Sequence, residues 1–456
     1  MGSKYDVAVL GGGPGGYVAA IRCASLGMST VLIEKGSLGG TCLNRGCVPT
    51  KSLLHSAGLY KEMKTSASFG ITAADVSFNF ADIMKRKNEV VAKLTGGVGM
   101  LLKKAGVDVI QGVGKLVDVN TIEVDAEKTE ADNIILATGS EPAMPPIPGI
   151  EEALNSDDVL SMIECPESCA IVGGGVIGIE FASIFSLLGK KVTIIEVLPE
   201  ILSGMDEEIS AAATKLLKGQ GVEIIVNAKV LEINNGVCVY ESGNARNEVK
   251  AEAVIVAAGR KPATEGLGLE KTGVVMEKGF IKVDDAMRTS IPHIYAIGDI
   301  TGKIQLAHVA SAQGIVAASN IAGKDEKMRY DNIPSCVYTF PEIAAVGLTE
   351  KQAREGGHEY KIGRFPVAFS GKSSVMGESF GFVKLISDEG TGELLGAHMM
   401  APRATDIIAE LCVLKQSEAT IDELAQTIHP HPTISEMLME AAHDIEGLSV
   451  HTPGGV

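Results

Sequence analysis

The chain has few cysteines, no excess of basic residues and no long apolar run, and each absence excludes a class of protein. Its 456 residues include 8 cysteines, too few and too scattered for a secreted domain held together by disulfides. The formal net charge of −17 argues against a nucleic-acid-binding surface, which needs basic patches. No apolar run approaches the roughly 20 residues of a membrane span. Because the chain also opens without a basic-then-apolar leader, we expect a cytoplasmic protein that binds neither nucleic acid nor membrane.

Glycine, by contrast, is abundant, and much of it lies in two copies of one pattern. A short apolar strand, a Gly-x-Gly-x-x-Gly turn and the start of a helix occupy residues 7–16, and the same features return at 170–178. In each copy the next predicted strand ends in an acid, Glu34 or Glu196, at the same interval from the first glycine. Such a turn between strand and helix is typical of a dinucleotide-binding unit, whereas a ligand-free turn has no need of the acid. The repeat therefore predicts two dinucleotide-binding sites.

A bound dinucleotide would give each position of the repeat a role. The first glycine permits a tight turn, the second lets the backbone approach a pyrophosphate, and the third lets the helix pack on the strand. These glycines are Gly11, Gly13 and Gly16 in the first copy and Gly173, Gly175 and Gly178 in the second. The carboxylates of Glu34 and Glu196 can accept hydrogen bonds from ribose hydroxyls. Because Glu196 would repel a 2′-phosphate and residues 197–203 offer no Arg or Lys to bind one, we expect NAD rather than NADP.

Two thiols follow the first turn closely. Cys42 and Cys47 stand in the segment Gly-Gly-Thr-Cys-Leu-Asn-Arg-Gly-Cys-Val-Pro-Thr-Lys at 39–51, where a disulfide would close a small ring. If a helix begins at Cys47, the field at its N-terminus would lower the pKa of that thiol. A metal site would need more Cys or His ligands than the segment offers. Since electron exchange between sulfur and NAD needs an intermediary such as a flavin, we expect FAD in the first site and NAD in the second.

Two further positions have alternative interpretations. Lys51 follows Cys47 by four residues and could share its helix face, where it either stabilises a reduced flavin or lies in solvent. The segment His-Pro-His-Pro-Thr-Ile-Ser-Glu at 429–436 contains Thr-x-x-Glu, which matches a helix capping box. Glu436 is then either a capping residue, which the spacing alone favours, or the group that orients His431 as a base for a thiol substrate.

The rest of the sequence pattern predicts both helices and strands. A long amphipathic helix or a pair of helices is predicted between Phe80 and Lys104, and a helix of small residues around 307–322. A proline-rich segment at 141–148 separates the halves that carry the two turns. From about residue 333 the sequence pattern changes. Short runs in which apolar and polar residues alternate predict an antiparallel sheet at 335–400. Two helices are predicted after that sheet, near 404–416 and 434–443.

Together these motifs resemble the pyridine nucleotide-disulfide oxidoreductases. The resemblance is carried by both glycine turns, the cysteine segment at 39–51, Tyr-Ala-Ile-Gly-Asp at 295–299 and the histidine segment at 429–436, and it covers essentially the whole chain. It implies an α/β fold with two Rossmann-like dinucleotide-binding domains and a C-terminal α+β dimerisation domain. The implied boundaries are 1–145 for the FAD domain, 146–265 for the NAD domain, 266–332 for a central segment completing the FAD domain, and 333–456 for the dimerisation domain.

The resemblance also implies roles for individual residues. Cys42 is similar to the thiol that exchanges with lipoamide, and Cys47 to the thiol adjacent to the flavin. His431 is similar to a catalytic base that is held by Glu436 and serves the disulfide of the partner subunit. Lys51 is similar to a lysine near the flavin that pairs with an acid. That acid corresponds to Glu180, and further residues that resemble cofactor contacts are Thr41, Gly114, Thr138, Gly139, Asp299, Gln305, Leu306, Ala307 and His308 for FAD, and Val230 and Gly259 for NAD.

Within the family, the chain is most similar to members that oxidise dihydrolipoamide in 2-oxo acid dehydrogenase and glycine cleavage complexes. The resemblance thus implies a homodimeric flavoprotein that uses FAD and NAD, acts on dihydrolipoamide and binds the lipoyl-bearing protein domains of a multienzyme complex. Two alternatives stay open: a related reductase that runs from NADH towards another disulfide, and a non-catalytic flavoprotein that serves as a scaffold. No metal is expected.

Overall fold

The apolar run before each glycine turn forms a buried parallel strand in the computed structural model, which describes residues 4–452. The first run is β1 (Lys4–Leu10), and it is followed by α1 (Pro14–Ser25) and β2 (Thr30–Glu34). β1 and β2 pair in parallel, and every residue of β2 is buried, as in sheets that are covered on both faces. The first turn therefore lies at the carboxyl edge of a parallel sheet, where folds of this kind bind ligands.

Seven strands make up this first sheet. After β2 the chain forms α2 (Gly40–Arg45), α3 (Cys47–Thr65), α4 (Phe80–Ala105), β3 (Asp108–Gln111), β4 (Lys115–Leu116), β5 (Thr121–Val124) and β6 (Glu127–Leu136). The strand order is β3-β2-β1-β6-β5-β4, and the later strand β18 (Ile294–Ala296) pairs in parallel with β6. The segment between Phe80 and Lys104 lies within one continuous helix, so the alternative of two helices is wrong.

The second glycine turn lies in a smaller parallel sheet. This part of the chain forms β7 (Ser140–Pro142), α5 (Ser156–Val159), β8 (Ser168–Val172), α6 (Val176–Leu187), β9 (Lys191–Ile195), α7 (Glu207–Gly219), β10 (Glu223–Ile225), β11 (Ala228–Asn234), β12 (Val237–Ser242), β13 (Ala245–Lys250), β14 (Ala253–Val256) and β15 (Arg260–Pro262). The parallel strands are ordered β10-β9-β8-β14, and β11, β12 and β13 form a separate antiparallel sheet. β7 and β15 pair antiparallel, so the chain enters and leaves this half side by side.

The final part of the chain forms the predicted antiparallel sheet. The elements from residue 276 onwards, besides β18, are β16 (Met276–Glu277), β17 (Phe280–Ile281), α8 (Ala307–Ile321), β19 (Ser335–Val337), β20 (Glu342–Gly347), α9 (Glu350–Glu355), β21 (Tyr360–Pro366), α10 (Gly371–Val375), β22 (Phe382–Asp388), β23 (Leu394–Ala401), α11 (Ala404–Gln416), α12 (Ile421–Gln426) and α13 (Glu436–Ile445). The sheet order is β19-β20-β23-β22-β21. The helix of small residues, the antiparallel sheet and the helices near 404 and 434 are confirmed. The short helix α12 was not predicted.

One apolar core joins the three parts. It contains Leu53 of α3, Phe181 and Ile184 of α6, and Val337 and Met400 of the antiparallel sheet, all buried. Burial of each such side chain is worth about 2 kcal/mol, so the relative position of these elements is fixed by packing. Helix α3, which begins at one cysteine, is thereby held against α6, which begins at the second glycine turn. Among residues 4–452, none of the helices combines the length and apolar character that crossing a membrane requires.

Candidate redox and nucleotide-binding site

The two glycine turns have the same backbone geometry. The first glycine of each turn has a positive φ, 109° at Gly11 and 114° at Gly173, a region that glycine enters at little cost. A Cβ atom at Gly16 would lie 1.8 Å from the carbonyl oxygen of Gly11, and one at Gly178 would lie 2.1 Å from that of Gly173. Helix and turn therefore touch backbone to backbone in both copies, as the spacing of the glycines predicts.

The middle glycine leaves each turn open. A Cβ atom at Gly13 would meet only Gly40, at 3.9 Å, and one at Gly175 would meet nothing within 4 Å. Helices α1 and α6 begin directly after these glycines, and within the described part of the chain neither helix has a capping side chain. Their first N–H groups thus remain available to an anion at the helix N-terminus. This arrangement fits the pyrophosphate of a dinucleotide in both copies.

The two acids at the ends of the next strands are also equivalent. The carboxylate of Glu34 accepts a hydrogen bond from the N–H of Gly12 at 2.6 Å and another from the N–H two residues beyond itself at 2.7 Å. Glu196 accepts from the N–H of Gly174 at 2.5 Å and from the N–H two residues beyond itself at 2.7 Å. Each carboxylate is therefore fixed beside its turn, where it can accept further bonds from a ribose.

A cavity of about 1420 Å³ joins both turns. Its wall combines residues of both parallel sheets with Ser335 and Cys336 of the antiparallel sheet. The predicted site residues that line it are Gly11, Gly13, Glu34, Thr41, Cys42, Cys47, Lys51, Gly114, Thr138, Gly139, Gly173, Gly175, Glu180, Glu196, Val230, Gly259, Asp299, Gln305, Leu306 and Ala307. Gly16 and Gly178 pack behind the turns, and the Nε2 atom of His308 lies 3.0 Å from the carbonyl oxygen of Pro334.

The two thiols meet at the junction of two helices. Cys42 lies in α2, and Cys47 is the first residue of α3, which confirms the predicted helix start. The two thiols are close enough to shift the pKa values of each other. The neighbouring thiol of Cys42, assisted by the cation of Lys51, lowers the pKa of Cys47 to about 7, although burial acts against it. The neighbouring thiol of Cys47, together with burial, raises the pKa of Cys42. Such a thiol pair can cycle between dithiol and disulfide, with Cys47 as the thiolate.

Lys51 is paired rather than solvated. Its Nζ atom donates to both carboxylate oxygens of Glu180 on α6, each at 2.8 Å. Glu180 is buried and also accepts from the N–H of Tyr338 at 3.1 Å. The Nζ atom lies 4.5 Å from the centre of the Tyr338 ring, within the range of a cation–π contact. Burial raises the pKa of Glu180, while the cation of Lys51 opposes that rise. The solvated alternative for Lys51 is therefore wrong.

His431 and Glu436 form a second pair. The Nδ1 atom of His431 lies 2.8 Å from one carboxylate oxygen of Glu436, and the other oxygen accepts from the N–H of Thr433 at 2.7 Å. Burial acts in the opposite direction, but the contacts with Thr433 and His431 together lower the pKa of Glu436. The hydroxyl of Thr433 donates to the carbonyl of Pro430 instead of capping α13. The predicted capping box is thus wrong in its threonine half.

The imidazole of His431 is held outside the cavity of its own chain. Its side chain is 77% exposed, and neither it nor Glu436 lines the cavity that holds Cys42 and Cys47. The carboxylate fixes one ring nitrogen and leaves the other accessible. The pair can therefore accept a proton from a group that another molecule brings to this surface.

Two further contacts were missed in the sequence. The hydroxyl of Ser140 donates to the carboxylate of Asp299, and the Nε atom of Arg260 donates to the same hydroxyl oxygen at 2.7 Å. The dipeptide Gly-Arg after the last strand of the second half was the available signal for this link. The Nε2 atom of His429 lies 2.7 Å from a carboxylate oxygen of Glu410, 19 positions away. That separation follows no helix or strand period, so spacing could not reveal it.

Comparison with known proteins agrees with this site. The family described as pyridine nucleotide-disulphide oxidoreductase matches residues 5–314, and the dimerisation domain of the same family matches residues 333–442. The chain therefore belongs to the pyridine nucleotide-disulphide oxidoreductases. It is a flavoprotein disulfide oxidoreductase with FAD and NAD as cofactors, so the predictions of fold class, enzyme class and cofactors are confirmed. Its dimerisation domain supports a homodimer.

Individual relatives narrow the comparison further. The chain is 44% identical to a dihydrolipoyl dehydrogenase of Bacillus subtilis, with 99% of this chain and 100% of the relative covered. It is 42% identical to a dihydrolipoyl dehydrogenase of Geobacillus stearothermophilus, over 98% of this chain and 97% of the relative. Among solved structures, LpdA from Mycobacterium tuberculosis matches with a TM-score of 0.89 and 29% identity over 97% of this chain and 99% of that one. The HOCl-induced flavoprotein disulfide reductase RclA from Escherichia coli matches with a TM-score of 0.85 and 31% identity, covering 95% and 98%.

Proposed function

We propose that this protein oxidises dihydrolipoamide to lipoamide with NAD⁺ as acceptor, through FAD and a redox-active disulfide between Cys42 and Cys47. One observation carries the proposal: both glycine turns and both thiols line the same cavity. The relatives named dihydrolipoyl dehydrogenase support the choice of substrate, since they are 40–44% identical over nearly the whole chain.

The cofactors are assigned to the two turns in chain order. FAD belongs at the first turn because the thiol pair follows it, and NAD belongs at the second. The flavin supplies the two-electron chemistry between a thiolate and a nicotinamide. Glu34 and Glu196 would hold the two adenosine riboses, and Lys51, kept in place by Glu180, would place a cation beside Cys47 and the flavin. The domain boundaries after residues 145, 265 and 332 are part of this proposal.

The thiols carry out an exchange reaction in two steps. A thiolate of dihydrolipoamide attacks the sulfur of Cys42, the Cys42–Cys47 bond breaks, and its electron pair stays on Cys47 as a thiolate. The second thiolate of the substrate then attacks the substrate sulfur in the mixed disulfide, which releases Cys42 and closes the ring of lipoamide. The lowered pKa of Cys47 suits a leaving thiolate.

Each substrate thiol must lose a proton, because the thiolate is the nucleophile. We assign this role to His431, with Glu436 as the residue that orients the imidazole. The exposure of His431 outside the cavity of its own chain supports a site completed across a dimer, in which His431 serves the disulfide of the partner subunit.

The dihydrolipoamide substrate would be attached to another protein. We infer that lipoyl-bearing domains of a 2-oxo acid dehydrogenase or glycine cleavage complex, or of both, present the dihydrolipoamide to this homodimer. A cytoplasmic location accords with the six other cysteines, each of which is a free thiol.

Anaerobic reduction tests the assignment. Dihydrolipoamide should reduce the flavin of the wild-type holoenzyme within the time of turnover, whereas the Cys42→Ser variant should be reduced by NADH and not by dihydrolipoamide. A Cys42→Ser protein that dihydrolipoamide reduces at the wild-type rate would refute the role of Cys42. The matched control is Cys238→Ser, since Cys238 is a buried thiol of the second half and does not line the cavity.

A related reductase that runs from NADH towards another disulfide is the second candidate, and the structural match to the flavoprotein disulfide reductase RclA favours it. Comparison of kcat/KM for lipoamide, glutathione disulfide and cystine separates the two. The proposed function requires lipoamide to lead this series by orders of magnitude. A non-catalytic flavoprotein would show normal flavin content and no exchange of electrons between NADH and any of the three.

A further inference from the structure

Lys384 of β22 is a buried cation that lies between two parts of the chain. It is 1% exposed, and its Nζ atom donates to Glu350 at 2.6 Å, to Glu208 at 2.7 Å and to Asp206 at 3.1 Å. Asp206 and Glu208 stand at the start of α7, in the half of the molecule that contains the second glycine turn. Lys384 and Glu350 belong to the C-terminal part. The ammonium group thus joins the dimerisation domain to α7.

Two further contacts strengthen the same junction. Arg364 of β21 donates to Glu208 at 2.7 Å and 3.3 Å, and the N–H of Glu350 donates to Asp206 at 3.1 Å. We name Asp206, Glu208, Glu350, Arg364 and Lys384 the Lys384 brace. In this cluster, both cations come from the C-terminal part and meet two acids from α7.

The charged side chains of the Lys384 brace contact one another, and these contacts offset the cost of burying charge. Burial disfavours the cation of Lys384, but the hydrogen bonds that it donates to Glu208, Glu350 and Asp206 more than offset this and raise its pKa. Asp206 is only 2% exposed, so without Lys384 its carboxylate would be left buried beside other acids. Buried ion pairs contribute little net stability, but they penalise any displacement that separates the charges. The Lys384 brace is therefore suited to holding the start of α7 in a fixed position relative to the C-terminal part of the chain.

Helix α7 is connected to the second glycine turn through the segment 197–206, which starts directly after Glu196 and ends at Asp206. Within this segment the N–H of Leu202 donates to the carbonyl of Gly174 at 2.9 Å. The hydroxyl of Ser210 in α7 donates to the carbonyl of Ile201 at 2.5 Å. Leu198 and Leu202 also line the cavity. The start of α7 and the second turn thus lie at opposite ends of one hydrogen-bonded segment.

We propose that the Lys384 brace positions the NAD site from the dimerisation domain, with Lys384 as the positioning residue. The brace fixes the start of α7, α7 fixes segment 197–206, and that segment borders the second glycine turn. The inference rests on the assignment of NAD to that turn and is independent of the identity of the disulfide substrate.

Replacement of Lys384 should weaken NAD binding selectively. In the flavin-loaded holoenzyme, Lys384→Met should raise the Kd for NADH, obtained from the concentration dependence of flavin reduction, on the order of tenfold. Flavin reduction by dihydrolipoamide should change less than about twofold, since a shift that propagates through α7 leaves the thiol pair in place. Lys384→Arg keeps the charge and should restore most of the affinity. The matched control is Lys361→Met, which removes an exposed ion pair with Glu446 from the neighbouring strand β21 and should match wild type.

Two results would overturn the proposal: an unchanged Kd for NADH in Lys384→Met, or an equal loss in both half-reactions together with loss of flavin. If Lys384→Met does not fold, Asp206→Asn replaces it in the same measurement. Asparagine keeps the N-cap of α7, because its side-chain oxygen can still accept from the N–H of Glu208. A wild-type protein that dihydrolipoamide does not reduce would refute the proposed substrate, while the NADH measurement would still test the brace.

Discussion

At Cys47 the environment of one sulfur atom decides which member of the thiol pair carries charge. The neighbouring thiol of Cys42 and the cation of Lys51 both favour its thiolate, and burial disfavours it. The balance lowers the pKa of Cys47 to about 7, below the ordinary value of a cysteine. In the reduced protein, the thiolate of Cys47 should thus form as the pH rises through about 7.

Lys51→Met should shift that titration to higher pH. The cation stabilises the charged form of Cys47, so its removal raises the pKa, and at neutral pH less thiolate is present. Loss of one nearby charge corresponds to a shift of about one pH unit. The rate of alkylation of the reduced protein by iodoacetamide, measured against pH with mass spectrometry to locate the label, gives the midpoint. Lys64→Met, at the far end of α3, is the control. An unchanged midpoint in Lys51→Met would contradict the role assigned to this lysine.

Glu436→Gln tests the second pair. The glutamine keeps the size of the side chain but removes the charge that holds His431, so dihydrolipoamide oxidation should fall by about 10²–10³-fold. NADH-driven reduction of the flavin should not change. In the wild type, the lowered pKa of Glu436 keeps its carboxylate charged as the pH falls, and the hold of that carboxylate on His431 is lost only when the pH drops through the lowered pKa.

His451→Gln is a matched control for that experiment, because His451 makes the same kind of contact with Glu440 on the same helix. It should retain wild-type activity. If Glu436→Gln were as active as wild type, His431 would not need Glu436 to orient it, and the proposed role of this pair as the base would be contradicted.

The sequence predicts which residues belong to this site better than it predicts which side chains those residues contact. The glycines, Glu34 and Glu196 follow local rules, because turn and acid belong to one strand–helix–strand unit. The partner of Lys51 lies 129 positions away, and from the residues alone Lys51 could equally well have been solvated. The capping box failed for a different reason: proline residues restrict the backbone before α13, and the hydroxyl of Thr433 bonds to Pro430.

Among the elements, the two strand–turn–helix units depend on contact between backbone atoms. Gly178→Ala would place a methyl group 2.1 Å from the carbonyl oxygen of Gly173, so α6 must move away from its strand. We expect a loss of about 2–4 kcal/mol in the free energy of unfolding and weaker NADH binding with flavin still present. Thermal unfolding and NADH titration measure these effects.

Gly219→Ala is the control at the same scale. This glycine is the last residue of α7, and a Cβ atom there would meet nothing within 4 Å. Alanine should leave stability unchanged or increase it by about 0.5–1 kcal/mol. If Gly178→Ala behaved like Gly219→Ala, close packing of helix and turn could not be the reason for the third glycine.

Long elements with a clear period were predicted well, and short or distant ones were not. Helix α4 and the antiparallel sheet have strong patterns over many residues. The short helix α12 has only 6 residues, too few for a period to show. Strand β18 completes a sheet whose other members end at residue 136, and its pairing with Ile134–Leu136 is a contact across a long stretch of chain. Such pairing is set by tertiary packing rather than by local pattern.

At the scale of the whole molecule, the proposed site is complete only in a dimer. The thiols belong to one end of the chain, and His431 lies exposed near the other. Co-expression of Cys42→Ser with His431→Gln tests this arrangement, with different affinity tags to isolate the hybrid dimer. If histidine acts across the dimer, the hybrid contains one complete site and should have roughly half the wild-type activity.

Each parental homodimer should be inactive with dihydrolipoamide. A hybrid as inactive as its parents would place His431 and the thiols of one chain in the same site, and would therefore rule out catalysis across the interface. Light scattering of the purified protein should give the mass of a dimer in every variant.

The pairing of β7 with β15 has a consequence for how this architecture can change. Residues 142 and 260 are paired in that two-stranded sheet. The chain between them therefore leaves the rest of the molecule and returns to it at a single place. Polypeptide inserted at such a point can be exchanged as a unit, provided that the replacement keeps the residues that contact the rest of the molecule, among them Glu180 and Asp206. Grafting an NADP-selective unit that keeps these residues should therefore change which nucleotide accepts the electrons, while the sulfur chemistry remains the same.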